Sequence, residues 1–235
     1  MGIYLALLLM AGIVAMDTTS GPQVLVSEPI VSCSALGLLF GNPEMGLMLG
    51  IVFQLLWLGY LPLGGERSPD NNLAAFISSA SLFSAARIFS FEGIEIRAAL
   101  IPIMLYGVFI GLIGLHIRNF ERRINGIQTE TLLSGFERGE YPSIMWRHFA
   151  GISSAFLKGA IMALLFVPVG IMICWMIRYL PLFYLESMYR ASFIIWGAVS
   201  ASAILFFWAN GKPKFIIAGS VSGFIWILFM MVQKG

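Results

Sequence analysis

The sequence predicts an all-α membrane protein, a polytopic helical bundle with re-entrant or broken hairpin elements in its N-terminal half. Three observations carry this. The chain has 235 residues, 59% of them hydrophobic and 11% charged, with a mean hydropathy of +0.88, whereas soluble domains carry about 25% charged residues. Four apolar runs in the second half each approach the roughly 20 residues a helix needs to cross a bilayer. In the first half the apolar runs are shorter and interrupted by Pro-containing polar steps. A soluble chain of this size would need a polar surface that this composition cannot supply. The formal net charge of +2, with no basic run interleaved with aromatics, argues against nucleic acid as a partner.

Residues 2–16 are uninterruptedly apolar, without the basic start or cleavage pattern of a signal peptide. The segment is short for a crossing along the membrane normal, so it either spans with help from neighbours or stops part-way. "DTTSGPQ" (17–23) is rich in turn formers. Residues 24–44, "VLVSEPIVSCSALGLLFGNPE", are broken by Glu28-Pro29 and closed by Gly41-Asn42-Pro43. Proline removes a backbone donor and disfavours helix in the residue before it. The pattern therefore reads as two short helical pieces entering and leaving one side, tolerated where protein or a watery cavity receives the free backbone groups. Residues 45–65 are long enough to span, with Gln54 the strongly polar side chain. After "LPLGGERSPDNN" (61–72) comes the small-residue run 73–86, whose 14 residues read as the second arm of another broken element. The stretch 87–97 sets two arginines against two glutamates and reads as a polar connection.

Residues 98–117, 159–177, 191–209 and 215–232 read as four membrane helices. The chain thus divides into an N-terminal region, 1–97, and a C-terminal set of helices, 98–235. Between the first two helices lies a polar loop, 118–158, with six Lys/Arg against four Glu. Excess positive charge places it on the cytoplasmic side. "NGKPK" (210–214) then falls inside and 87–97 outside; Arg178 and Arg190 are the exceptions, on the outer face. The small-xxx-small spacings Gly37/Gly41, Gly46/Gly50, Gly107/Gly111 and Gly219/Gly223 let helices approach closely.

No phosphate loop, HExxH, CxxC or nucleophile elbow occurs, so neither a catalytic residue nor a cofactor or metal site is expected. Cys33 and Cys174 read as small buried hydrophobes, and His116 and His148 as interfacial or surface residues. The informative positions are polar side chains at membrane depth, which are costly unless they face a cavity or each other. Gln54 can donate and accept, which suits a sugar hydroxyl; its plainer reading is a helix-to-helix hydrogen bond. Glu66, Arg67, Asp70 and Asn71 are either solvated loop residues or part of a binding site. Gly64-Gly65 and Pro69 give that loop a specific shape, and discontinuous elements near the midplane point to a transporter's site. Glu28 is a further candidate, or else an exposed turn carboxylate.

"EPIVSCSALGLLFGNPEMGLMLGIVFQLLWLGYLPLGGERSPDNNLAAFISS" resembles the C-type membrane subunit of the mannose/fructose/sorbose family of the bacterial phosphotransferase system. The shared frame runs from Pro29 through Gly41, Gly50, Gly59, Gly64, Pro69 and Asp70 to Ala74, and covers roughly residues 1–115. The resemblance implies a sugar-translocating subunit in the bacterial inner membrane that works with a D-type membrane subunit and assembles as an oligomer. Cytoplasmic phosphocarrier subunits, of A and B type, would phosphorylate the entering sugar, so the phosphorylated histidines would lie on other chains. It also implies that Asp70 and its neighbours help form the sugar site. Three departures stand out: Gln54 replaces a usual glutamate, Glu66-Arg67 precede Pro69-Asp70 where the family is commonly small and apolar, and Pro22-Gln23 stand near the place of a usual aspartate. A diverged, non-transporting scaffold or sensor docking phosphotransferase proteins through 118–158 is the alternative. An unrelated channel or secondary transporter would require ion-coupling carboxylates, against which the neutral Gln54 argues.

Overall fold

A computed structural model describes residues 2–58, 69–140 and 144–209, with side chains to residue 203. Every regular element among them is a helix. The uninterrupted apolar start forms α1 (Gly2–Thr19), 18 residues long, or about 27 Å at 1.5 Å per residue, close to a bilayer core of about 30 Å.

Next come two short helices, α2 (Pro29–Phe40) and α3 (Pro43–Leu56), folded back on each other. Their boundaries follow from local chemistry. Pro29 and Pro43 each open a helix, where a missing N–H costs nothing. Gly41 closes α2 in the left-handed region at φ +76°, open to glycine without a Cβ penalty. Asn42 then caps α3, its side chain accepting from Met45 N at 3.2 Å. The two helices touch backbone to backbone. A Cβ on Gly46 would stand 2.6 Å from Cys33 O and 2.7 Å from Gly37 Cα, so only glycine allows this approach.

The hairpin leans on α4 (Asn71–Phe89), with Phe40 stacked on Phe83 at 5.6 Å between ring centroids. α4 runs through the middle of the bundle; every residue from Asn72 to Ala85 is buried. Its serines are made compatible with that position by donating inward: Ser78 Oγ to Ala74 O and Ser81 Oγ to Ile77 O, at 2.8 and 2.7 Å.

A short helix, α5 (Ile94–Ala98), leads into the long α6 (Leu100–Glu137) and α7 (Ile144–Met176), and the chain continues through α8 (Leu182–Ala209). α1, α6 and α7 flank α4. Pro168 lies inside α7. Nearby, Tyr106 donates its hydroxyl to Phe166 O and Ser81 to Val167 O, giving the carbonyls around the proline side-chain partners. Among the described residues, α1, α4, α5–α6 and α7 supply four segments long and apolar enough to cross a membrane.

Three expectations are corrected. The run 73–86 is part of one uninterrupted buried helix, because its small side chains let the hairpin, α1, α6 and α7 surround it. Residues 45–65 are not one helix: α3 ends at Leu56 after 14 residues, as the second arm of a hairpin over 29–56, and 59–65 lie outside the described residues. The segment 118–158 is no loop. α6 and α7 continue through most of it as 38- and 33-residue helices, since its charges sit at helical spacing among good helix formers and no proline or glycine pair interrupts it before residue 138. The run 191–209 lies within α8, and 215–232 lies outside the described residues.

Candidate functional site: a polar cavity where α4 begins

The first turn of α4, the end of α1, the two open ends of the α2–α3 hairpin and the polar part of α6 meet at one end of the bundle. Between them is a cavity of about 590 Å³, within the roughly 300–1,000 Å³ typical of small-molecule sites.

One wall joins two residues that are 26 positions apart in sequence. Gln54 Nε2 donates to Glu28 Oε2 at 2.7 Å, and both line the cavity. The hairpin produces this pair, because its fold returns the end of α3 to the start of α2. The amide is fixed from both sides: Ile30 N donates to Gln54 Oε1 at 3.4 Å. Trp57, one turn on, adds an aromatic face to the lining.

The second wall is the start of α4. Asn71 and Asn72 both line the cavity. Asn72 Nδ2 donates to Ser27 Oγ at 3.3 Å, while its Oδ1 has no hydrogen-bond partner among the described residues. Asp17, at the end of α1, is buried yet also reaches the lining. Its carboxylate accepts from Val24 N at 2.8 Å and Ser27 N at 2.9 Å, which folds the 20–28 turn against the cavity.

The third wall is charged. Arg118, Glu121, Arg122 and Asn125 of α6 face the cavity, at positions i, i+3, i+4 and i+7 of one helix face. Behind them lies a buried ion network. Asp70 is 1% exposed; Arg118 Nη2 reaches its Oδ1 at 2.8 Å and Lys158 Nζ its Oδ2 at 3.4 Å. Lys158 Nζ also meets Glu121 Oε2 at 2.9 Å. Two cations face two anions, the condition under which charges are tolerated at such depth.

Asp70 occupies the N-cap position of α4, yet its side chain makes no capping hydrogen bond, because the two cations draw the carboxylate away. The backbone ties the junction instead: Asp70 N donates to Gly111 O at 3.1 Å, and its carbonyl accepts from Ala74 N at 3.0 Å. Gly114 leaves the room, since a Cβ there would stand 2.5 Å from Asp70 Cβ.

The structure thus brings Glu28, Gln54 and Asn71 together on one cavity. It sets Asp70 just behind the wall, as an anion of the ion network. Glu66 and Arg67 lie outside the described residues. Asp17, Asn72, Arg118, Glu121 and Lys158 escape a reading of the sequence. A signal for the α6 set exists in the spacing 118/121/122/125, but it is hidden when 118–158 is taken as one polar loop. The chemistry suits a neutral, hydroxyl-rich ligand: amides and carboxylates accept and donate at fixed points beside an aromatic face. Among the described residues, no group of three His, Cys, Asp or Glu side chains could hold a metal ion.

Comparison with known proteins agrees on membrane, helices and family. A sorbose-specific EIIC component of the phosphotransferase system from Lacticaseibacillus casei is 26% identical over 125 residues, 53% of this chain and 41% of that protein. A protein of the same description from Klebsiella pneumoniae is 38% identical over 52 residues, 22% of this chain and 20% of that protein. The fructose permease IIC component of Bacillus subtilis (strain 168) is 33% identical over 73 residues, 31% of this chain and 27% of that protein. Each match therefore spans less than half of the relative's own length. A solved structure described as that of a membrane protein superimposes with a TM-score of 0.64 over 97% of this chain and 94% of the other, at 18% identity, a likeness of fold. The family model for the phosphotransferase-system sorbose-specific IIC component matches residues 2–230, and the chain, a multi-pass membrane protein, belongs to that family.

Proposed function

We propose that this chain is the sugar-translocating membrane subunit of a phosphotransferase-type uptake system in the bacterial inner membrane. It binds a sugar in the cavity lined by Glu28, Gln54 and Asn71, with Asp70 shaping the wall; Glu66 and Arg67, outside the described residues, are assigned to the same site from the sequence. A D-type membrane subunit completes the assembly, and cytoplasmic subunits of A and B type carry the phosphoryl group. The observation that carries the reading is the Gln54–Glu28 pair at 2.7 Å on a polar cavity. A hexose hydroxyl arriving there finds an amide and a carboxylate held in place before binding, so little ordering is left to oppose affinity.

The test is direct binding of sorbose, fructose, mannose and glucose to the purified protein with its partner membrane subunit, alongside uptake in cells. One sugar should bind, and Gln54→Leu should abolish that binding while leaving membrane insertion intact. A complete absence of binding to every sugar would overturn the reading.

A second reading has its own support. α6 and α7 outrun the roughly 20 residues of a crossing, and their paired extension carries exposed Phe120, Ile124, Trp146 and Phe149. A scaffold that docks phosphotransferase proteins through this extension would need such a surface. Deleting residues 122–155 would then abolish capture of the cytoplasmic subunits in a protein that takes up no sugar.

A further inference from the structure

The ion network lies half on the cavity wall and half behind it. Arg118 and Glu121 line the cavity, whereas Asp70 and Lys158 stand back from it, Asp70 directly before the lining residues Asn71 and Asn72. Lys158 is nonetheless the bridge of the network, since its ammonium stands 2.9 Å from Glu121 and 3.4 Å from Asp70. Arg118 alone would neutralise Asp70. Glu121, one helical turn from Arg118, brings a second, largely buried anion to the same place, and Lys158 meets it. Balancing Glu121 and reaching Asp70 with one ammonium joins three elements: α4 through Asp70, α6 through Glu121 and α7 through Lys158 itself.

The start of α4 lacks the side-chain cap that its N-cap residue could supply. An N-cap aspartate ordinarily holds the first turn through its own side chain. Here the carboxylate is turned away from the helix toward the cations. Beside the backbone bonds of Asp70 to Gly111 and Ala74, the cations on its carboxylate are a second tie on the junction from which Asn71 and Asn72 enter the cavity.

We propose that Lys158 is a positioning residue of the sugar site: from behind the wall, and as a charge, it fixes Asp70 and with it the Asn71–Asn72 edge of the cavity. Its bearing on sugar rests on the function proposed above; the positioning of the edge does not.

The experiment separates the two. A nitroxide is attached at Asn71→Cys in a Cys33→Ala, Cys174→Ala background, in full-length protein in nanodiscs, and its mobility is read by electron paramagnetic resonance. Lys158→Met should convert an immobilised spectrum into one with a large mobile fraction, and Lys158→Arg should restore it. In unlabelled protein, Lys158→Met should weaken binding of the sugar taken by the native chain about tenfold or more, because an edge no longer held in place must be ordered on binding. If Lys158→Met alone fails to accumulate, Lys158→Met with Glu121→Gln removes one charge of each sign and should accumulate with the same loosened label. An unchanged spectrum in either Met variant overturns the proposal. A loosened label in a protein whose native form binds none of the four sugars leaves the positioning intact and overturns the sugar site.

Discussion

The α2–α3 hairpin and the Asp70 junction adjoin the same cavity and are held by opposite means. The hairpin is closed by the absence of side chains: Gly37, Gly46 and Gly50 let two backbones touch. The junction is closed by full-length charged side chains, with Arg118 and Lys158 converging on Asp70. In an apolar medium no hydrophobic force presses helices together, so close contact and polar pairing are the available means. The difference is that a glycine contact tolerates no substituent, whereas an ion network tolerates change so long as its charges balance.

The largest expected effect breaks the junction. Arg118→Leu leaves Asp70 sharing a single lysine with Glu121, and breaking a buried pair in this way costs about 3–5 kcal/mol. The thermal midpoint in detergent should fall sharply, if the protein accumulates at all; a midpoint equal to that of the native protein would mean the network is not what holds α4. Next comes the hairpin. Gly46→Ala puts a Cβ against backbone on both sides, and overpacking of this kind costs about 1–3 kcal/mol. No second-site change of charge should rescue it, which the same melting measurement can check in a Glu121→Gln background.

Gln54→Glu sharpens the comparison by carrying charge into the hairpin's end. It would set two carboxyls at hydrogen-bonding distance in place of the Gln54–Glu28 pair. Like charges raise the pKa of one of them. Below that raised value the pair shares a proton and keeps its hydrogen bond; above it two anions repel. Sugar binding and stability should therefore both decline as pH rises, by an amount on the order of 1 kcal/mol, roughly one pKa unit. Affinity titrations in mildly acidic and mildly alkaline buffer decide it. The smallest effect is expected at Ser81→Ala, which removes the donor to Ile77 O and Val167 O. A neutral hydrogen bond contributes about 1 kcal/mol, so a drop of several degrees would show that Ser81 also braces the chain around Pro168.

Much of this is legible in the sequence. Pro29, Gly41, Asn42 and Pro43 announce the hairpin, because each acts on its own backbone neighbours. Gln54 and Glu28 are marked by polarity in an apolar run, although nothing in the sequence says they will meet each other. Asp70 stands out through Pro69-Asp70, but as a residue facing a ligand. That its carboxylate lies among Arg118 and Lys158, 48 and 88 positions further on, is a long-range pairing that no local pattern records. The run 73–86 misleads for a related reason: a stretch of small residues looks too short to span until its neighbours are seen to surround it.

By itself, then, the amino-acid sequence determined the medium and the local breaks. Composition decides transfer into lipid, and proline, glycine and cap residues decide where helices start and stop. The tertiary structure alone decided which polar groups are partners. The cost of a buried charge in lipid is met only in three dimensions, by whichever opposite charge the packing brings within reach, here from α6 and α7 onto the first residue before α4.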